Sequence, residues 1–587
     1  MSSECYTAIT FAPVQGFIEK SRKLRDLYGS SFLLSYLAES ICKAAPQHNC
    51  QVISPALINV TQGTPNQIIL KGLFDKELAR EVLNQAWLVI SETCREWIET
   101  HVHDCGMYYW RRDWQSWGKY TWEFFWGKGT TISAAKEAVN DAKRSRDWTA
   151  TNWMWESSTL SGADGVAWPG MGKGNPKNTN RHQQKLDIVK FYQSLSCKLG
   201  EAFISAANLT IAPSELAESI KKYGEIFVDS DEELSIPEMV KRLITHKAIT
   251  AKIVENIKLR DNVESNRPHR LNIFAEELNP ISFIDISRQK NKDRKPNQPP
   301  AEQYWTGWFQ GDGDRVGELL QRLSQNPVTE PDELKKFSKA MMDWGEDEFK
   351  PKIKNAGGRV VYAGGDDFMG VFYRLPGQTL PNKKFTPLTG QECVHWFASK
   401  FPAIWNQHGQ EITVSVGLVW AAPNVPQRDV LQHCRLAAKS AKDNGKDRIA
   451  IRILFNGGTH IEWVCPWWFL PVLEHYQDRD DHTLDSLNEP PDGNKIKPNW
   501  THIYNDVATL EARHAFHGNT KIAESLFEIY FPKCRDWIHR DNWWVDCYED
   551  GLRTGILGHE KDAKKDVTEL FNEWFINLAK VGFHLCR

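Results

Sequence analysis

The stretch that most constrains the fold is Gly358–Tyr373, GRVVYAGGDDFMGVFY. Val360, Val361 and Tyr362 supply one apolar arm, and Met369, Val371, Phe372 and Tyr373 supply the other. Gly364, Gly365, Asp366 and Asp367 lie between them, which predicts a β-hairpin with two glycines and two carboxylates at its tip. Glycine lacks a Cβ, so the backbone can turn tightly there and approach a phosphate chain. Paired carboxylates are the hard oxygen donors that Mg²⁺ or Mn²⁺ prefers. Alone, the tetrapeptide fits an ordinary polar turn equally well.

The flanking chain decides between these readings. Upstream, Tyr304–Leu320 is an apolar strand that ends in Asp312-Gly313-Asp314 and runs into a helix. A carboxylate at a strand end, facing a hairpin that carries Asp-Asp, is the ligand arrangement of a two-metal nucleotidyl-transfer site. Downstream, Glu411–Trp420 reads as a third strand; a helix ending near Lys446 and a fourth strand, Arg448–Phe455, follow. The order strand, helices, hairpin, helix, strand, helix, strand predicts a ferredoxin-like palm.

GDGDRVG, YAGGDDF, SVGLVWA and AKDNGKDRIAI together resemble the catalytic palm of the large subunit of type III CRISPR effector complexes, most closely the III-B branch. The stretch Pro13–Ser35, PVQGFIEKSRKLRDLYGSSFLLS, resembles the opening of that subunit's first palm. The resemblance implies an α+β chain with two palm domains, a helical linker region and a C-terminal α-helical bundle. It implies an enzyme that joins ATP into cyclic oligoadenylates when target RNA is bound. Asp312, Asp366 and Asp367 would be the metal-holding catalytic carboxylates, with Mg²⁺ or Mn²⁺. Gly364, Gly365, Asp314, Ser415 and Lys442 would face the nucleotide, Lys442 toward its phosphates. Arg315 departs from the Asn common in the family. The implied partners are the other subunits of the complex, a crRNA guide, target RNA and ATP. The alternative is a catalytically silent subunit that binds RNA and serves the complex structurally.

At 587 residues the chain needs more than one core. With 72 Lys and Arg against 75 Asp and Glu, it has no global basic field, so RNA contact must be local. The 12 cysteines form no CxxC pair, which gives neither a zinc ribbon nor a disulfide framework and suits a reducing cytoplasm. No signal peptide and no apolar run long enough to span a membrane is evident. The 25 tryptophans suit aromatic cores or interface anchors, and core use is the plainer reading.

Taken in order, 1–104 is expected to be a first, non-catalytic palm. Its strand Tyr6–Ala12 leads into a helix from Phe17 to about Ala45. Arg22, Lys23 and Arg25, with Ser30 and Ser31, offer a basic stretch for the phosphates of a second nucleotide, or a solvated helix face. In the first palm the connection that matches the acidic hairpin carries Pro55, Pro65 and Asn66 and no carboxylate. Residues 105–285 are expected to form a Trp-rich insertion and helical linker region. Arg111, Arg112 and Lys119 among its aromatics allow a single-stranded RNA reading, although packing on the palm explains them as well. Ser157–Gly162 stands where the family often has a zinc knuckle, with serines for cysteines, so no zinc is expected. The Gly- and Asn-rich run 170–182 reads as a loop. Residues 286–300, charged and Pro-rich, read as a linker. The second palm is placed at 301–460 and the helical bundle at 461–587. The His-Asp pairs His103-Asp104 and Asp481-His482 lack further ligands, so no HD-type nuclease activity is expected.

Overall fold

The computed structural model describes residues 5–55, 67–146, 153, 156–173, 180–261, 269–281, 283, 285–286, 304–326, 328–374, 386–483, 497–518, 521–538, 555–558 and 567–586. Pro65, Asn66, Trp155, part of the 170–182 loop and nearly all of the 286–300 linker lie outside them. The chain forms two compact units, Met1–Ser287 with Leu323–Lys339, and Arg288–Arg322 with Ala340–Arg587. It is an α+β protein with one palm sheet in each unit.

The first sheet holds β1 (Tyr6–Ala12), β2 (Gln51–Ser54), β3 (Ile68–Lys71) and β4 (Glu123–Gly129) in the order β2-β3-β1-β4, all antiparallel. This is the ferredoxin-like order. Its fourth strand lies well past residue 104, where the first palm was expected to end. Phe124, Phe125 and Trp126 read as part of an aromatic insertion; here they alternate along an edge strand paired with β1. Part of the Trp-rich stretch therefore completes the first palm.

The helix expected from Phe17 to about Ala45 is two helices, Gln15–Glu19 and Leu24–Ala44. The break has a clear cause. The Asp26 carboxylate accepts the backbone N–H groups of Arg22 and Lys23, each at 2.9 Å, and caps a new helix start. Lys23 itself is extended, with φ −103° and ψ 154°. Lys241 donates into the gap, to the carbonyl of Phe17 at 2.8 Å and to that of Lys20 at 2.5 Å.

The second sheet contains β5 (Thr306–Gly313), β6 (Gly358–Ala363), β7 (Asp367–Phe372), β8 (Val414–Ala421), β9 (Arg448–Leu454) and β10 (His460–Pro466). Their order is β10-β9-β8-β5-β7-β6. The β8-β5-β7-β6 part is again ferredoxin-like, and β9 joins parallel to β8 through helix Gln427–Asp443. β10 carries the sheet to residue 466, so the region expected to be a purely helical bundle from 461 opens with a strand. Helices Thr501–Ala512, Ile522–Tyr530 and Val567–Cys586 follow. Phe571, Phe575 and Leu578 from the last of these are buried.

Many of the described tryptophans serve cores. Trp87, Trp110 and Trp114 in the first unit and Trp308, Trp344 and Trp463 in the second are almost completely buried. Helix Gln427–Asp443 seats on the sheet through small residues, Ala437, Ala438 and Ala441. A Cβ on Gly417 in β8 would fall 2.3 Å from the Ala438 backbone nitrogen and 2.7 Å from the Ala437 carbonyl carbon. Backbone cannot yield as a side chain does. Gly417→Val is therefore expected to cost the second unit about 3 kcal/mol, read as a lowered melting transition.

Candidate nucleotidyl-transfer site

β5 pairs antiparallel with β7, and Asp312 stands directly opposite Asp367. Cross-strand partners point to the same face of a sheet. Asp366 belongs to the tip between β6 and β7, and its carbonyl accepts the Gly313 N–H at 2.9 Å. Gly313 allows this approach, since a Cβ there would lie 3.1 Å from the Asp366 Cβ. The fold thus brings the three predicted carboxylates to one end of one sheet. Gly364 is buried and Gly365 half-buried, and neither takes a left-handed φ. What they contribute is the missing side chain rather than an unusual turn.

Lys442, near the end of helix Gln427–Asp443, reaches over this face. Its ammonium lies 2.5 Å from the Asp312 carboxylate and 3.4 Å from the Gly313 carbonyl. The pair is part-exposed, at 29% and 43% of the side chains. The lysine thus answers the strand-end carboxylate.

At Asp366 and Asp367 the charge of Lys442 counts for less than that of the neighbouring carboxylates. Burial, then the Asp312 charge, pushes the Asp366 carboxyl up to about 6. Burial, then the charges of Asp366 and Asp312, pushes Asp367 up to about 7. Asp366 is half-buried and the Asp367 residue has an exposed surface, so water screens part of this repulsion. A set of carboxylates that resists full ionisation fits a divalent cation, which would relieve the mutual charge. The three are nevertheless not gathered into one ligand sphere. Among the described residues the only group with such close ligand atoms is Asp478, Asp480 and His502. There, Asp478 already accepts from the N–H groups of Asp480, His482 and Asn499 and pairs with the His482 ring.

Two predicted nucleotide contacts are corrected. Asp314 is 1% exposed and Ser415 fully buried. Asp314 accepts from the Ser415 hydroxyl at 2.7 Å, the Thr413 hydroxyl at 3.0 Å and the Asp447 N–H at 2.9 Å. Its oxygens are occupied inside the protein, and Ser415 is spent on it. Thr413 and Asp447 were not legible as site residues, because nothing in their spacing links them to Asp314.

Arg22, Ser30 and Ser31 belong to the first unit. The basic stretch there is not a solvated face. Lys23 and Arg25 are buried; Lys23 donates to the carbonyls of Glu225 and Ile226, and Arg25 pairs with Asp285 at 2.6 Å. Arg22 donates to the Thr159 carbonyl and lies 3.7 Å from Glu232. Ser30 is fully buried and donates to the Asp26 carbonyl at 2.7 Å; Ser31 is 6% exposed. These serines serve packing. Where the family often has a zinc knuckle, the Ser158 hydroxyl donates to Glu238 at 3.3 Å. Among the described residues no helix is long and apolar enough to cross a membrane.

Two family models match the sequence, "CRISPR-associated protein Cmr2, N-terminal" over residues 6–95 and "Cas10/Cmr2, second palm domain" over residues 306–450. No curated protein matches. Among solved structures, the chain is similar to one in a type III-B Cmr-beta cryo-EM structure of the apo state, at 12% identity and a TM-score of 0.52, over 98% of this chain and 81% of that one. It also aligns with the Csm1-Csm4 cassette in complex with cA4, at 13% identity and a TM-score of 0.39, over 100% and 70% of the two chains. Csm1 in T. onnurineus aligns at 13% identity and 0.40, over 100% and 69%. The first of these structures shares the fold. The chain thus carries, in this order, a region that matches the Cmr2 N-terminal model and a region that matches the Cas10/Cmr2 second-palm model, on a fold shared with a chain of a type III-B Cmr-beta structure.

Proposed function

We propose that the second palm is a metal-dependent nucleotidyl transferase that joins ATP into cyclic oligoadenylates when the assembled complex binds target RNA. The observation that carries this reading is the convergence of Asp312, Asp366 and Asp367 on one sheet end beneath Lys442. Asp312, Asp366 and Asp367 would hold Mg²⁺ or Mn²⁺, since an all-carboxylate set suits hard cations. Such a cation supplies Lewis-acid polarisation of a phosphoryl oxygen and favours deprotonation of an attacking hydroxyl. The chain's own part is to bind and orient. Gly364 and Gly365 leave room for the triphosphate against the hairpin. Lys442 exchanges the Asp312 carboxylate for phosphate oxygens, and so follows the charge to the substrate. The crRNA, target RNA and neighbouring subunits belong to the same proposal.

The silent-subunit reading draws on one observation, the Lys442–Asp312 pair, which fills the strand-end ligand with an internal cation. Lys442→Ala separates the two. It is expected to raise the KM for ATP about tenfold, a loss of ~1.4 kcal/mol of binding, while leaving Mn²⁺ binding undiminished. A silent subunit shows neither a KM nor Mn²⁺ binding at this palm. Mn²⁺ binding by the complex, followed by electron paramagnetic resonance, is expected to strengthen between pH 6 and pH 8. Asp366 and Asp367 must lose protons first, with their carboxyls at about 6 and about 7. Binding that does not respond to pH in this window, or that survives loss of both aspartates, contradicts the assignment.

A further inference from the structure

Asp314 is the conspicuous acid of this palm that has no place in the metal set. Three donors from two other segments converge on its two oxygens. The Ser415 hydroxyl donates to Oδ1, and the Thr413 hydroxyl and the Asp447 N–H donate to Oδ2. Its own N–H donates to the Thr413 carbonyl at 2.8 Å. The end of β5, the start of β8 and the turn after helix Gln427–Asp443 are therefore joined through one buried carboxylate.

That turn is where the knot has a task. Gly445, Lys446 and Asp447 have φ of +119°, +65° and +50° in succession. Glycine tolerates this region, whereas two consecutive residues with side chains do so only when something holds them. The Asp447 N–H, bonded to Asp314, is the hold on one side. On the other, the buried Arg448 guanidinium donates to the Lys446 carbonyl at 2.9 Å and to the Gly555 carbonyl at 3.0 Å. Lys442 lies one helical turn before this point, and the Gly445 N–H still reaches its carbonyl at 3.4 Å. Asp312 lies two residues before Asp314. One carboxylate thus sets both members of the Lys442–Asp312 pair.

We propose that Asp314 is a positioning residue: by pinning the left-handed turn 445–447 to the end of β5, it holds Lys442 over Asp312 and so fixes the phosphate-facing side of the site. This rests on the nucleotidyl-transfer reading of the palm for its consequence, but not for its geometry. Asp314→Asn keeps the size and puts an amide N–H₂ where an acceptor is needed. Thr413→Val removes one donor with little change of shape. Lys446→Gly removes the backbone penalty that the knot opposes.

The test uses the full chain in its assembled complex, with two readouts. In hydrogen exchange, Asp314→Asn is expected to speed exchange across 440–448 about tenfold and Thr413→Val about threefold, with β9 after Arg448 unchanged; adding Lys446→Gly to Asp314→Asn restores much of the protection. In turnover, Asp314→Asn lowers kcat/KM for ATP about tenfold at saturating Mn²⁺ while the half-saturating Mn²⁺ concentration stays within about twofold. Unchanged exchange at 440–448 in both single variants overturns the proposal. So does a large rise in the half-saturating Mn²⁺ with kcat/KM preserved at saturation, which would make Asp314 a metal ligand. If the unaltered complex forms no product, the proposed activity fails, and the exchange readout still decides for or against the positioning role.

Discussion

Asp366→Asn combined with Asp367→Asn is expected to lower product formation by about 10³-fold or more, because several kcal/mol of transition-state stabilisation at the attacked phosphate go with the metal set. The same pair is expected to stabilise the metal-free protein at alkaline pH. Both carboxyls are raised in the folded chain, from an ordinary 3.8 to about 6 and about 7. A raised carboxyl contributes stability that is fully present below its unfolded pKa and is lost as pH rises through the folded one. The metal-free native protein therefore weakens between about pH 4 and pH 7. The double variant, which has no charge to form at these positions, escapes this loss. With Asp367 exposed at its surface, the gain at pH 8 is discounted to ~1 kcal/mol, a rise of roughly 2–4 °C in the melting of that unit. Activity lost while metal-free stability is gained separates a metal site from a structural pair of acids. If stability falls with activity, the two aspartates hold the hairpin together instead.

The second large effect lies in the first unit. Arg242→Met removes a fully buried guanidinium that pairs with Asp26 and with Glu232 at 2.9 Å, both also fully buried. Burial would raise both carboxyls, but Arg242, together with Lys241 at Asp26 and Lys23 at Glu232, outweighs it and holds each at about 2. Without Arg242, two buried carboxylates face one another, with Lys23 at 3.6 Å and Arg22 at 3.7 Å from Glu232 as its remaining close cations and Lys241 left to act on Asp26. Breaking such a group typically costs about 3–5 kcal/mol. A fall of roughly 10 °C in the melting of the first unit is expected at pH 7.5. The sign with pH is distinctive. In the unaltered protein these depressed carboxyls contribute stability above their ordinary pKa values and lose it as pH falls through about 2. In the variant they ionise against burial, so its deficit is largest near neutral pH and smallest near pH 4. A deficit independent of pH would mean that Arg242 acts by packing alone.

The palm architecture was legible because it is written in local patterns. Val360–Tyr362 and Met369–Tyr373 alternate around Gly-Gly-Asp-Asp, and Asp312 ends an apolar strand. These features fix a hairpin and a strand end, and strand register then places Asp312 opposite Asp367. What stayed hidden depends on distant partners. Arg22, Lys23 and Arg25 look like a surface patch until Glu232 and Asp285, more than 200 residues on, fold against them. Asp314 looks like a further ligand until Ser415, Thr413 and Asp447 enclose it. β4 looks like insertion because the aromatic Phe124-Phe125-Trp126 run gives no clean alternation of polar and apolar residues. Charge pairing and strand addition at such separation leave no short-range signal.

Whether three carboxylates and a lysine on the second palm make cyclic oligoadenylates in response to target RNA is decided by their products. The most direct measurement is to incubate the assembled complex with radiolabelled ATP and Mg²⁺ or Mn²⁺, with and without matching target RNA, and to resolve the products. Cyclic oligoadenylates that require both metal and target RNA are expected. No product with either metal, from a complex that demonstrably holds its target RNA, would contradict the proposed activity.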